Sequence, residues 1–168
     1  MANDSPQSRL EQIVAVLQRR RVNFIVIGGQ AEYLMGSPRV TFDVDICHER
    51  TQENLARLAE ALIDMKVRLR DVAPELPFVI DARALTLGNN FTFICEFGDF
   101  DCFALVEPIG NYGELLKDAE VFELGDQQIK TISLANLVRV KRHIGRAKDR
   151  ESLQQLMAIE QIRREKAP

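Results

Sequence analysis

"VIGGQAEYLMGSPRVTFDVDI", residues 26–46, holds the pattern on which the reading of the fold turns. The β-branched and aromatic run "VNFIVI" closes on Gly28 and Gly29, which predicts a buried strand ending in a tight turn. Residues 30–35 read as one or two turns of helix, broken by "GSPR". In "VTFDVDI" the alternation places Val40, Phe42, Val44 and Ile46 on one face and Thr41, Asp43 and Asp45 on the other. That is the spacing of a half-buried strand.

Two carboxylates side by side on one strand repel each other, and a hard, oxygen-seeking cation such as Mg²⁺ relieves the repulsion. The plain alternative is a solvated strand face, where acidic side chains usually sit. Gly28 and Gly29 allow the backbone to approach a phosphate closely just before a helix; their plain alternative is an ordinary strand-to-helix turn.

On the N-terminal side, Leu10, Ile13, Val14 and Leu17 keep helical spacing from Ser8 to about Arg20. On the C-terminal side, Thr51 caps an amphipathic helix whose apolar positions are Leu55, Leu58, Leu62 and Met65. Pro74 and Pro77 exclude a regular element nearby, while "FVIDARAL" offers a short strand. "FTFICEFGDFDCFALV" predicts a hairpin turning at Gly98 and Asp99. That register sets Phe97 opposite Phe100, Glu96 opposite Asp101 and Cys95 opposite Cys102.

The hairpin then sends Phe91, Phe93, Cys95 and Phe97 into the core, and Asp101 becomes a third strand-borne carboxylate. Asp99 is the rival, although its place in the turn already accounts for it. Three such carboxylates on adjacent strands suit two Mg²⁺ ions, the third acid being poised to activate a hydroxyl for in-line attack on phosphorus. A second hairpin is expected around Gly125 and Asp126, and helices from Ser133 onward, broken at Gly145.

The element order predicts an α+β (mixed α/β) domain in which helices flank a small mixed sheet. We read one domain over 1–168, with a core of about 22–132 and a C-terminal helical pair over about 133–165. The chain is 46% apolar and 28% charged with a net charge of −3, so no global field draws it to nucleic acid or an anionic membrane. The start "MANDSPQSRL" has neither the basic residues nor the apolar stretch of a secretory leader, which leads us to expect a cytoplasmic protein. Cys47, Cys95 and Cys102 read as reduced, mostly buried thiols. His48 and His143 read as surface or loop histidines.

A glycine pair, about a dozen residues, D-x-D on a strand and a later single Asp together resemble the DNA polymerase beta-like nucleotidyltransferase superfamily. "IGGQAEYLMG" leading into "RVTFDVDI" resembles in particular its minimal nucleotidyltransferases, related to AbiEii-type toxins and lincosamide-type antibiotic nucleotidyltransferases. Gly28, Gly29, Arg39, Thr41, Asp43 and Asp45 match the stretch. In the tail, Lys141, Gly145, Arg146, Lys148 and Asp149 match a lysine-bearing helix followed by a Gly-Arg-x-Lys-Asp step. The likeness spans roughly residues 22–160, and it departs at Gln30, where many members carry Gly-Ser.

The resemblance implies transfer of a nucleoside monophosphate from an NTP, with two Mg²⁺ ions for which Mn²⁺ can substitute, to a hydroxyl of RNA such as tRNA, of a protein or of a small molecule. Asp43, Asp45 and Asp101 would then be the catalytic, metal-binding residues. Gly28, Gly29, Arg39 and Thr41 would serve nucleotide binding, although Arg39 and Thr41 could equally tie down their loop. Lys141 and Lys148 flank the break at Gly145 and suit a triphosphate's outer oxygens. An antitoxin partner and a homo-oligomer are compatible with this reading, a membrane is not. The contrasting expectation is a catalytically silent binding or regulatory module of the same fold.

Overall fold

A computed structural model describes residues 4–168. Helix α1 (Pro6–Arg19) starts where the Ser5 side chain accepts from the Ser8 amide, and it buries Leu10, Ile13, Val14 and Leu17. Strand β1 (Phe24–Ile27) is buried throughout and runs straight into α2 (Gly28–Leu34). Strand β2 (Val44–His48) follows, then α3 (Gln52–Asp64), capped by Thr51 as expected.

Next come β3 (Arg68–Leu69), α4 (Ala82–Leu87), β4 (Asn90–Cys95), β5 (Gly98–Phe103), and the short β6 (Leu105–Val106) and β7 (Gly110–Asn111). After α5 (Tyr112–Leu116), strands β8 (Glu120–Leu124) and β9 (Gln127–Thr131) form the expected hairpin. Helices α6 (Leu134–Ile144) and α7 (Ala147–Lys166) close the chain. Gly145 between them has φ +66 and donates its amide to the Lys141 carbonyl, a left-handed helix end.

Seven strands form one mixed sheet in the order β3-β4-β5-β2-β1-β9-β8. β1 runs antiparallel to β2, while β2 and β5 are parallel, as are β1 and β9. The sheet and its helices enclose one core, in which Ile25, Ile46, Leu58, Phe93 and Phe100 are fully buried. Among the described residues, no helix is long and apolar enough to cross a membrane.

Four local expectations are corrected. The strand expected over 40–46 begins only at Val44, and Val40 and Phe42 are exposed. Side chains hold the preceding segment instead: Gln30 donates to the Thr41 carbonyl, Arg39 to Ser152 and Ser37 to Gln155. The Arg9 guanidinium stands 4.9 Å over the Phe42 ring.

The first hairpin turns at Glu96 and Phe97, so Cys95 faces Gly98, Phe91 faces Cys102 and Thr92 faces Asp101. Gly98, at φ +113, opens β5 with Arg9 lying where a Cβ would point, a site that favours glycine as first strand residue over turn residue. The turn lies two residues earlier and the pairing shifts by four, an even number, so the side chains that remain in the strands keep their expected faces. "FVIDARAL" yields a helix instead of a strand, because the Asp81 side chain accepts from the Ala84 amide and caps α4. His48 is fully buried at the end of β2 opposite Phe24; burial and the neighbouring Arg50 push its pKa down to about 4. The cysteines are free thiols, Cys47 and Cys102 buried and Cys95 partly so.

Candidate active site

The parallel pairing of β2 and β5 places Asp45 directly opposite Asp101. Both are largely shielded from water, which disfavours the charged form and raises both carboxyls. Asp45 rises to about 7, through burial first and then through Asp101 and Asp43, with Lys141 and Arg70 acting in the opposite sense. Asp43 lies just ahead of the strand, exposed, yet close enough to raise Asp101 as well.

Gly28 has φ +65, and a Cβ there would overlap Asp45 Oδ2. A Cβ on Gly29 would stand 2.6 Å from Thr41 Cγ2. The glycine pair thus makes room for the carboxylate and for the loop that leads to it.

A cavity of about 680 Å³ opens beside these residues. Gly28, Gly29, Arg39, Thr41, Asp43, Asp45, Lys141 and Lys148 all line it, while Asp101, on the neighbouring strand beside Asp45, lies outside its lining. Apolar side chains also line it, among them Phe103, Leu105 and Val106 from β5 and β6 and Leu137, Val140 and Ile144 from α6. His143, read from the sequence as a surface or loop histidine, and Arg146, matched there only as part of the Gly-Arg-x-Lys-Asp step, add polar groups to the lining.

Lys141 is buried, its Nζ 2.6 Å from Glu32 Oε1 and 3.4 Å from Asp149 Oδ1. Asp149 is fully buried; burial alone would raise its carboxyl, but Arg146 and Lys141 hold it below the ordinary carboxylate range. Arg146 donates to it from Nε at 2.6 Å and from its backbone amide at 3.2 Å, closing the start of α7. Arg39 reaches Ser152 at 2.6 Å. Lys141 and Arg39 therefore lock α2 and its following loop to α6 and α7, and Lys148 remains exposed at the cavity edge.

Sequence reasoning missed Arg70. Its Nη2 is 3.0 Å from Asp101 and its Nη1 is 3.0 Å from Asp99. A two-residue edge strand carries no periodic signal, so nothing in the sequence places Arg70 here. Glu32 was legible in principle, since it lies four residues after Gly28 and so on the same face of α2.

The donor chemistry fits a hard divalent cation. Two carboxylates stand side by side in register, a third is near, and Asp101 Oδ1 is buried without a hydrogen bond, held only by the ion pair with Arg70 at 3.0 Å. Among the described residues, however, no three carboxylate, imidazole or thiol groups already converge on one point. Such a cation would draw Asp43 inward or take Asp101 from Arg70.

The fold is that of nucleotidyltransferases. The lincosamide antibiotic adenylyltransferase LnuA, bound to lincomycin, superposes with a TM-score of 0.60 at 18% identity, covering 90% of this chain and 96% of that one. TM1012 of Thermotoga maritima, assigned as a nucleotidyltransferase, gives 0.55 at 18% identity over 89% and 90% of the two chains. An antigenic nucleotidyltransferase-like protein of Paracoccidioides brasiliensis gives 0.58 at 14% identity over 95% and 77%. No protein-family model matches the chain, and no curated protein matches its sequence.

Proposed function

We propose that the protein is a Mg²⁺-dependent nucleotidyltransferase that moves a nucleoside monophosphate from an NTP to an acceptor hydroxyl. The observation that carries this reading is the in-register pair Asp45 and Asp101 beside a cavity bordered by Gly28, Gly29 and Lys148. Asp43, Asp45 and Asp101 would hold two Mg²⁺ ions, which when bound supply charge neutralisation around the transferring phosphoryl group.

The chain's own residues do the rest. Gly28 and Gly29 would keep backbone amides open toward phosphate, and exposed Lys148 would supply positive charge to the outer oxygens, Lys141 being held by Glu32 and Asp149. The acceptor oxygen bonds to the α-phosphorus as the bond to the β-phosphate oxygen breaks, and pyrophosphate leaves. Asp101, the carboxylate in register with Asp45, would take the hydroxyl proton.

A small-molecule acceptor suits the cavity better than tRNA or a protein does. Apolar side chains contribute to its lining, and the similar LnuA is an antibiotic adenylyltransferase seen with lincomycin. A role as a toxin, with an antitoxin partner, is the reading that a macromolecular acceptor such as tRNA would favour.

The test incubates purified protein and Mg²⁺ with each α-labelled NTP, and with either total tRNA or a panel of lincosamides and aminoglycosides. Label is expected on a small molecule, and Asp101→Asn should lose transfer while retaining NTP binding. Label on tRNA alone would favour the toxin reading. Absence of both transfer and NTP binding by calorimetry would leave a silent module of this fold.

A further inference from the structure

We propose that Arg70 is a resident counter-ion of the carboxylate cluster, competing with a divalent cation for Asp101 and moving to Asp99 when that cation binds. The inference rests on the metal site proposed above and specifies how it is held when empty.

Asp45 and Asp101 stand side by side on the β2–β5 pair, and unpaired carboxylates in a shielded site are costly. Arg70 is the cation that touches Asp101. Its placement is local: the Arg70 amide donates to the Thr92 carbonyl at 3.0 Å, and Thr92 is the cross-strand neighbour of Asp101. The side chain crosses the face of β4 to reach Asp99 and Asp101, two residues apart on β5 and so on one face.

The contact is built to be exchangeable. Arg70 spreads single-nitrogen contacts over two carboxylates, Nη1 on Asp99 and Nη2 on Asp101, in place of the two parallel bonds that make an arginine–carboxylate pair strong. Its backbone follows a two-residue edge strand. Asp71 next to it sits at φ +60, and the chain then runs without helix or strand to Ala82. The Arg70 side chain is 26% exposed, so it can swing toward Asp99 without disturbing the core.

A metal ion needs the Asp101 oxygens that Arg70 engages, so each excludes the other there. Asp99 gives the displaced guanidinium a partner. Asp99, which turn chemistry alone does not explain now that it lies within β5, thus acquires a role as the second seat of Arg70.

The two seats predict opposite signs. Mn²⁺ binding to the full chain is measured by calorimetry at pH 8, without nucleotide, for wild type, Arg70→Met, Asp99→Asn and Asp45→Asn. Arg70→Met should tighten Mn²⁺ binding about ten-fold, the equivalent of one charge-assisted hydrogen bond no longer opposing it. Asp99→Asn, at a partly exposed position that should not impair folding, should weaken Mn²⁺ binding because the guanidinium then has Asp101 alone.

Unchanged or weaker binding in Arg70→Met would overturn the inference. If Asp45→Asn abolished binding in the same series, the carboxylate site and the proposed function would still stand. Equal Mn²⁺ affinities in wild type and Asp45→Asn would sink both.

Discussion

Asp45→Asn should make the metal-free protein more stable, and by an amount that depends on pH. Folding lifts this carboxyl from its ordinary 3.8 to about 7, so ionised Asp45 costs the native state about 4 kcal/mol. Between those two values the native protein holds a proton that the unfolded chain has released, so native stability falls as pH rises from about 4 to about 7. The cost is fully present above about 7 and absent below about 4.

Asparagine keeps the shape and removes the charge. The groups bearing on the site are Asp101, Asp43, Lys141 and Arg70, and the first two also lose a repulsive neighbour in the variant. Urea unfolding in EDTA should therefore show a gain of about 2–4 kcal/mol for Asp45→Asn at pH 8, shrinking toward zero at pH 4. Equal stability of the two proteins at pH 8, or a loss, would refute the argument, because it would mean that Asp45 is ionised in the fold at no cost.

Gly28→Ala places a side chain at φ +65 and into Asp45 Oδ2; it should cost about 1–3 kcal/mol in urea unfolding and weaken Mn²⁺ binding measured by calorimetry. Lys141→Met leaves Glu32 and Asp149 buried without their shared cation and should cost about 3–5 kcal/mol, with partial recovery when Glu32→Gln is added; a Tm equal to wild type would show that the ion pairs are dispensable. Lys148→Ala, at an exposed cavity residue, should raise the NTP dissociation constant about ten-fold by calorimetry in Mg²⁺ while leaving Tm unchanged.

The parts of the fold legible in the sequence are those that a local rule determines. Thr51 caps its helix as read, a helix follows Ser133, Gly145 breaks the C-terminal pair, and Gly125–Asp126 turns its hairpin. The extent of β2 was misread because alternation over 40–46 cannot reveal that Gln30, Ser37 and Arg39 tie that segment down as a loop. The hairpin register was misread because a Gly-Asp pair suits a turn, whereas the glycine here meets Arg9 from a distant helix.

At the candidate site, Asp45 and Asp101 were legible as same-face carboxylates, because a register shift of four residues, an even number, preserves the face. Their direct opposition was not, since it comes from β2 pairing with β5 rather than from either strand alone. Lys141 was legible as a cation near the cavity, but not its burial between Glu32 and Asp149, which reach it from α2 and α7. Arg70 lay beyond reach for the same reason: a residue on a two-residue edge strand finds its place only through the finished sheet.

The pairing of Val26 with Thr131, continued by the Ile132 amide on the Val26 carbonyl at 2.9 Å, has a consequence for biosynthesis. During translation the first strand of the central sheet waits for a neighbour encoded near the far end of the message, and Glu32 waits longer still for the lysine on α6. While most of the polypeptide has left the ribosome, the segment bearing Asp43 and Asp45 has neither the β9 edge nor the helical clamp that steadies the glycine turn. Long-range pairings of this kind close late. A nascent chain stalled before α6 should therefore be sensitive to protease around residues 28–45, and it should become resistant only once α7 has emerged and closed around Lys141.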